Sequence, residues 1–392
     1  MKNDPSKVKR GGEELLTEIA LKAKVAEGKE SIRRVLREIF RKGTIGTKSL
    51  AKRLFLPVPT IAAIRNELEK EELITRTERG AVLTEKGLKF VTKDLQFRFI
   101  EDLRCKRCFG RTIGSPGNFD ELITQMKDFG SRRPRPLTEF DQAFARPITA
   151  LNRAFLMLEN DDLEGRSVLL LGDDDFTSLA IGLLQLNVKV TVIDIDQRLL
   201  DLISNIASER NFQIECLKHD LREPLPASLH SKFDTILLDP PYTPNGLTLF
   251  LSRAVQALKQ EPNRRIYLSF VHRPPNEMLL LQKTILEMGL VFSQLLPGFN
   301  IYEGSEMHGN TTAMIILTTT SETRPSLTTT SFRKEIYTGE VNPTIRTYRC
   351  VNGHTILVGK STIIHTIEEL KEKGCPICGS KKRFLRIKRE TK

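Results

Sequence analysis

Residues 167–178, SVLLLGDDDFTS, constrain this chain more than any other stretch: an apolar run stops at Gly172, three aspartates follow, and a helical pattern opens at Thr177. A buried strand that breaks at glycine and flows into a helix is the first unit of a doubly wound α/β sheet. Ligands of such sheets sit at the carboxyl ends of the strands. That first turn usually offers glycines and backbone N–H groups to an anion. Here it presents Asp173, Asp174 and Asp175, a set unsuited to phosphate and well suited to a cation.

From Ser167 onward, strand and helix patterns alternate. SVLLLG, KVTVID, FQIECLKHD, FDTILLD, RRIYLSFV, LVFSQLLPG and TTAMIILTTT read as strands, with helical stretches such as QRLLDLISNIASER between them. This order predicts a seven-stranded, Rossmann-like α/β sheet of the methyltransferase type across residues 151–320.

The flanks read differently. Residues 1–30 are a charged lead-in. Residues 31–93 combine three short helical patterns, the third expected to be capped by Thr60, with a hairpin turning at Gly80. Together these predict a winged helix-turn-helix. Arg65, Lys70, Arg76 and Arg79 are its candidate DNA contacts, but Glu67, Glu69, Glu71 and Glu72 crowd the same helix. That acidity favours packing or dimerisation over sequence-specific DNA binding. Residues 94–150 form a connector in which Cys105 and Cys108 supply half a zinc site. Residues 321–343 are a Thr-rich linker, and residues 344–392 a basic, zinc-ribbon-like tail. In the tail, Cys350, His354, Cys375 and Cys378 offer three thiolates and an imidazole to a structural zinc ion.

The net charge of +12 is uneven, with +8 in residues 1–92, +8 in residues 344–392 and −4 between them. The basic ends suit either nucleic acid or a solvated surface, while the acidic middle suits a basic substrate. There is no apolar run of about eighteen residues and no signal-peptide core, so a cytoplasmic chain without a membrane span is expected. Paired cysteines fit metal or redox chemistry in a reducing compartment.

The strand ends carry the chemistry. Asp194 ends the second strand about twenty residues after the first turn, where a carboxylate meets the ribose hydroxyls of an adenosine-type ligand. Asp196, two residues on, suits a helix N-cap. Asp220 ends the third strand, where a carboxylate can accept a hydrogen bond from an adenine amino group. Asp239 ends the fourth in LLDPPYT, and Pro240 and Pro241 stiffen the turn that aims it at a nitrogen.

GDDDFTS, VIDID, HDLREPLP, FDTILLDPPYT and the upstream FDQ resemble the branched-chain polyamine synthase family, the N4-bis(aminopropyl)spermidine synthases, over residues 31–320. The resemblance implies a homodimer that moves aminopropyl groups from decarboxylated S-adenosylmethionine to the internal nitrogen of spermidine. On that footing Asp239 and Asp174 are the expected catalytic groups. Gly172, Asp173, Asp175, Asp194 and Asp220 are expected to meet the donor, and Asp174, Tyr242, Glu306 and His308 the acceptor. The chemistry agrees: a sulfonium leaves as a neutral thioether, so no general acid is needed, but the acceptor amine must lose its proton and be aligned. An acidic first turn also complements a donor that has lost its carboxylate. The alternatives are an amino-methyltransferase acting on nucleic acid through DPPY, and a winged-helix regulator that senses a ligand. The missing GxG in the first turn weighs against the methyltransferase.

Overall fold

The computed structural model describes residues 11–105, 112–303, 310–341, 344–359 and 362–391. The N-terminal unit contains α1 (Gly12–Lys22), α2 (Lys29–Lys42), α3 (Thr47–Leu54) and α4 (Val58–Lys70). A hairpin of β1 (Ile74–Thr77) and β2 (Gly80–Leu83) and a short α5 (Glu85–Lys89) complete it. Leu36, Ile39, Leu50, Ile64 and Leu68, at helical spacing, fill its core. This is the expected winged helix, with two differences. α4 starts at Val58 with a proline in its first turn, so Thr60 lies inside the helix rather than capping it. The hairpin ends at Leu83, after which the Thr84 hydroxyl caps α5 by accepting from the Gly87 N–H.

Two helices, α6 (Phe119–Ser131) and α7 (Pro147–Glu159), lead into the sheet. The winged helix is fastened to the end of α7 by three buried arginines of α2. Arg33 pairs with Asp161 at 3.1 Å and Arg41 with Glu159 at 3.0 Å. Arg37 donates to the carbonyls of Leu158 and Glu159 at 2.5 and 3.0 Å. Cations at a helix C-terminus meet the negative end of its dipole and its unpaired carbonyls. The face of α2 is therefore used for packing. Three of the four candidate DNA contacts are also engaged: Arg65 with the Thr47 hydroxyl, Lys70 with Glu67 at 2.7 Å and Arg76 with Glu69 at 2.9 Å.

The central sheet comprises β3 (Ser167–Leu171), β4 (Lys189–Asp194), β5 (Ile214–Lys218), β6 (Thr235–Leu238), β7 (Arg265–Phe270), β8 (Leu290–Ile301) and β9 (Thr311–Thr319). Its order is β5-β4-β3-β6-β7-β9-β8, and β9 runs antiparallel to both neighbours. It is the Rossmann-like, methyltransferase-type sheet that the strand pattern predicts. Alternate residues divide between its faces. Val168, Leu170, Val190 and Val192 join the core with α7, α8 (Thr177–Leu183) and α9 (Gln197–Arg210). Leu169, Leu171, Ile236 and Leu238 join that with α10 (Pro244–Ala257) and α11 (Pro275–Glu287). Strand order reverses between β3 and β6, which opens a crevice at their carboxyl ends.

Residues 321–341 differ from a free linker. They form a strap ending in α12 (Thr338–Val341), with Phe332, Ile336 and Tyr337 packed on Leu249 of α10. Buried Arg253 donates to the carbonyls of Thr328 and Thr330 at 3.1 and 3.2 Å, which satisfies a backbone that has no ladder of its own. The tail folds as β10 (Thr344–Arg349), β11 (Thr355–Val358), α13 (Ile367–Lys373) and β12 (Leu385–Thr391), with sheet order β11-β10-β12. Among the described residues no helix is long and apolar enough to cross a membrane.

Candidate active site

A cavity of about 1100 Å³ lies at the carboxyl ends of the parallel strands, lined there by Gly172, Asp174, Asp194, Asp220, Asp239 and Tyr242. The connector, the strap and the tail supply further walls, together with Phe250, Arg273, Glu277 and Tyr302. Gly172 holds φ at +79°, and a Cβ added there would meet nothing within 4 Å, so the turn opens directly onto the cavity.

The three consecutive aspartates do three different things. Asp173 is buried and accepts from the N–H groups of Thr177 and Ser178 at 2.7 and 3.1 Å, anchoring the start of α8. Burial pushes its carboxyl up to about 7, against the hydrogen bonds that favour the ion. Asp175 is buried as well and accepts from the Ala145 N–H at 2.5 Å and from Arg153 at 2.7 Å. Neither carboxylate lines the cavity, which corrects the expectation that both meet the donor. Successive side chains in a tight turn cannot all face one way, and two of these three serve the fold. Asp174 alone reaches the cavity. Burial, reinforced by the charges of Asp175, Asp194 and Asp239, raises its carboxyl well above the ordinary value.

The other strand ends follow the sequence more closely. Asp194 accepts from the N–H groups of Asp196 and Asp173 at 2.8 and 3.1 Å while remaining on the cavity wall. Burial still lifts its carboxyl above the ordinary range. Asp196 caps α9 through the Arg198 N–H at 3.1 Å, as expected. Asp220 is clasped by the Arg222 guanidinium, with its shortest contact at 2.8 Å. Burial would raise this carboxyl, but the Arg222 hydrogen bonds and charge outweigh it and hold it low. Asp141 of the FDQ segment accepts from the Thr338 N–H at 2.6 Å and ties the strap across the cavity.

Asp239 is the most elaborately held group. Its Oδ2 accepts from Arg153 at 2.8 Å and from the Tyr302 hydroxyl at 2.6 Å, and its Oδ1 accepts from the Tyr242 hydroxyl at 3.0 Å. Burial raises its carboxyl above the ordinary value, Arg153 opposes the rise, and Asp175 adds to it. Sequence reading missed Arg153, Asn300 and Tyr302. Arg153 is fully buried, bonds Asn300 at 2.8 Å and Tyr302 at 2.9 Å, and bridges Asp175 to Asp239. Its signal was present: a lone cation within the apolar helix PITALNRAFLMLE. Glu306 and His308 lie outside the described residues, as does Cys108.

In the tail, one donor atom each from Cys350, His354, Cys375 and Cys378 falls within 4.8 Å of the others. Individual separations are 3.5 Å for Cys350 to His354, 3.8 Å for Cys375 to His354 and 3.9 Å for Cys350 to Cys378. Edges near 3.8 Å are what a tetrahedron with metal–sulfur bonds of about 2.3 Å requires. The cluster thus has the composition and spacing to hold one metal ion, with His354 drawn in despite its irregular spacing from Cys350.

The chain resembles known proteins over most of its length. The C-terminal domain of branched-chain polyamine synthase A matches residues 121–358, and a winged helix-turn-helix DNA-binding domain matches residues 29–75. An uncharacterised protein of Methanocaldococcus jannaschii is 42% identical over 377 residues, covering 96% of this chain and 93% of that one. The N(4)-bis(aminopropyl)spermidine synthase of the same organism is 35% identical over 250 residues, covering 63% of this chain and 70% of that one. The crystal structure of the Thermus thermophilus branched-chain polyamine synthase, in complex with N4-aminopropylspermidine and 5'-methylthioadenosine, aligns with a TM-score of 0.53 at 26% identity. That alignment covers 84% of this chain and 98% of the other. Together with the acid-lined cavity at the strand ends, these matches place the chain in the branched-chain polyamine synthase family.

Proposed function

We propose that this protein is an aminopropyltransferase that moves aminopropyl groups from decarboxylated S-adenosylmethionine to the internal nitrogen of spermidine. The observation that carries this reading is the convergence of Asp174, Asp194, Asp220 and Asp239 on one cavity, with Asp239 fixed by Arg153, Tyr242 and Tyr302. The donor's adenosine lies over Gly172, its ribose hydroxyls on Asp194 and its adenine amino group toward Asp220. Asp174 takes an ammonium group of the donor or acceptor. Asp239 takes the proton of the secondary amine. The freed lone pair attacks the methylene carbon beside the sulfonium, the C–N bond forms, and the C–S pair leaves on sulfur as neutral methylthioadenosine.

The fold gives this step its geometry. Two donors on Oδ2 fix the plane of the Asp239 carboxylate, whose Oδ1 is held by Tyr242, and both residues line the cavity. A base raised by burial is better matched to an amine than an exposed carboxylate. Zinc is the ion we assign to the Cys/His cluster, where it would tie the β10–β11 hairpin to the CPIC turn. Homodimerisation belongs to this proposal too, while the pairing of Arg65, Lys70 and Arg76 speaks against DNA as a partner.

The test is incubation with decarboxylated S-adenosylmethionine and spermidine, with mass analysis of the polyamines and calorimetry of both donor forms. Branched products and tighter binding of the decarboxylated donor are expected, because a donor carboxylate beside Asp174 would meet like charge. Preference for ordinary S-adenosylmethionine, with methyl transfer to nucleic acid, would overturn the reading.

A further inference from the structure

The cavity lining also has a basic part. Arg346 of β10 and Arg389 of β12 both line it, together with His365. In the strand register Arg346 stands directly opposite Arg389. Residues opposite one another in an antiparallel pair project to the same face at close range, and like charges there are destabilising. An arginine cannot relieve the strain by losing its proton. Among the described residues neither guanidinium pairs with a carboxylate, and neither has a further partner. Other arginines around the site are compensated: Arg153 by Asp175 and Asp239, Arg222 by Asp220, and Arg273 by Glu277 at 3.9 Å. The opposed pair looks into open cavity instead. A polyamine cannot supply the missing negative charge, since every one of its groups is an amine.

We infer that Arg346 and Arg389, with His365 beside them, form an anion subsite on the tail wall of the cavity, which takes a phosphate or carboxylate group. Guanidinium forks match either group with paired hydrogen bonds, and the anion replaces the carboxylate partner that the fold omits. The group has two possible sources: a free inorganic anion, or the anionic end of an amine whose other end reaches Asp174 and Asp239. The subsite stands apart from aminopropyl transfer, and its test omits the donor.

The full-length, metal-loaded protein is titrated by calorimetry at about 0.15 M salt, so that long-range attraction is screened. One arm uses inorganic phosphate. The other compares spermidine with its analogue in which one terminal aminomethyl group is replaced by a carboxylate. In R346Q/R389Q, phosphate affinity is expected to fall roughly tenfold or more, as for lost charge-assisted hydrogen bonds. A matching fall for the carboxylate analogue, with spermidine binding undiminished, identifies the acceptor as the source. A fall for phosphate alone identifies a free anion. Equal binding of both probes by wild type and variant, or no binding of either to wild type at millimolar concentration, overturns the inference. So does an equal loss when Lys381, Lys382 and Arg383, which do not line the cavity, are changed to glutamine. Should the double variant misfold, R389Q on the exposed terminal strand serves alone, with the same outcomes.

Discussion

Replacing Arg153 tests the central claim that one buried cation organises the site. Arg153→Met keeps most of the volume but removes contacts to Asp175 at 2.7 Å, Asp239 and Asn300 at 2.8 Å, and Tyr302 at 2.9 Å. Breaking one side of a buried ion pair costs about 3–5 kcal/mol, because the partner charge stays buried without compensation. Arg153 serves two carboxylates, so the upper part of that range is expected at neutral pH. The loss has a definite pH signature. Without Arg153 the main influence opposing the burial of Asp239 is gone and only hydrogen bonds such as that from Tyr302 remain, so its folded pKa climbs further above the unfolded one. A group raised on folding contributes stability below its unfolded pKa and loses that contribution as pH rises through the folded value. The variant therefore recovers stability on acidification, and the acid limb of its kcat/KM profile moves to higher pH. Urea denaturation at pH 5 and pH 8, with a pH–rate profile, reads both effects. Arg153→Lys should keep part of the charge effect while losing the fork. A destabilisation below about 1 kcal/mol with an unmoved acid limb would refute the reasoning.

Four further outcomes are expected. Asp239→Asn should lower turnover by ~10²–10⁴-fold with little change in fold, whereas Asp174→Asn, whose carboxylate faces the cavity, should weaken polyamine binding more than stability; turnover kinetics and calorimetry separate the two. Metal analysis should find about one zinc per chain, lost when the chain is ended before Thr344; a full equivalent retained would point to Cys105 and Cys108. Because Asp173 titrates at about 7 in the fold against an ordinary 3.8, the native state holds the extra proton between those values and stability declines as pH rises through them. Asp173→Asn should flatten that slope in urea midpoints, and an unchanged slope would mean that the carboxylate is not desolvated.

The sheet was legible because β3, β4 and β6 are apolar runs that stop at or just before an aspartate, and a buried strand has nowhere else to place a charge than its end. Asp194, Asp220 and Asp239 consequently stand where the pattern puts them. The winged helix was legible from helical spacing, and the metal cluster from paired cysteines. What the sequence withheld depends on contacts distant along the chain. Arg153 earns its role only when α7 packs between Asp175 and Asp239, residues 22 and 86 positions away. The inward turn of Asp173 follows from N–H groups of the first turn of α8, and that of Asp175 from the Ala145 N–H and Arg153, which are distant in sequence. Residues 321–341 look like a linker because their partners, Arg253 and Leu249, belong to α10, and nothing local records that packing.

The two faces of the cavity also come from different parts of the chain. The strand-end carboxylates and Arg153 lie inside the matched span of residues 121–358, but Arg389, Cys375 and Cys378 lie beyond it. The span stops between the two halves of the metal cluster, after Cys350 and His354. On the proposed mechanism, attack on the sulfonium carbon needs only the carboxylate end, since the leaving thioether is neutral and Asp239 is the group assigned to take the proton. The tail cannot speed that step by charge; on the inference above its guanidinium groups would act on an acceptor only where that acceptor carries an anionic end. Changes in the tail should therefore alter which acceptors enter and leave the attack itself intact. Because β10 runs straight into Cys350 and carries Arg346 four residues before it, a metal held by the Cys/His cluster would brace the strand that brings Arg346 to the cavity. If zinc fills that cluster, stripping it with a chelator is expected to weaken anion binding at Arg346 and Arg389 before it lowers turnover of spermidine.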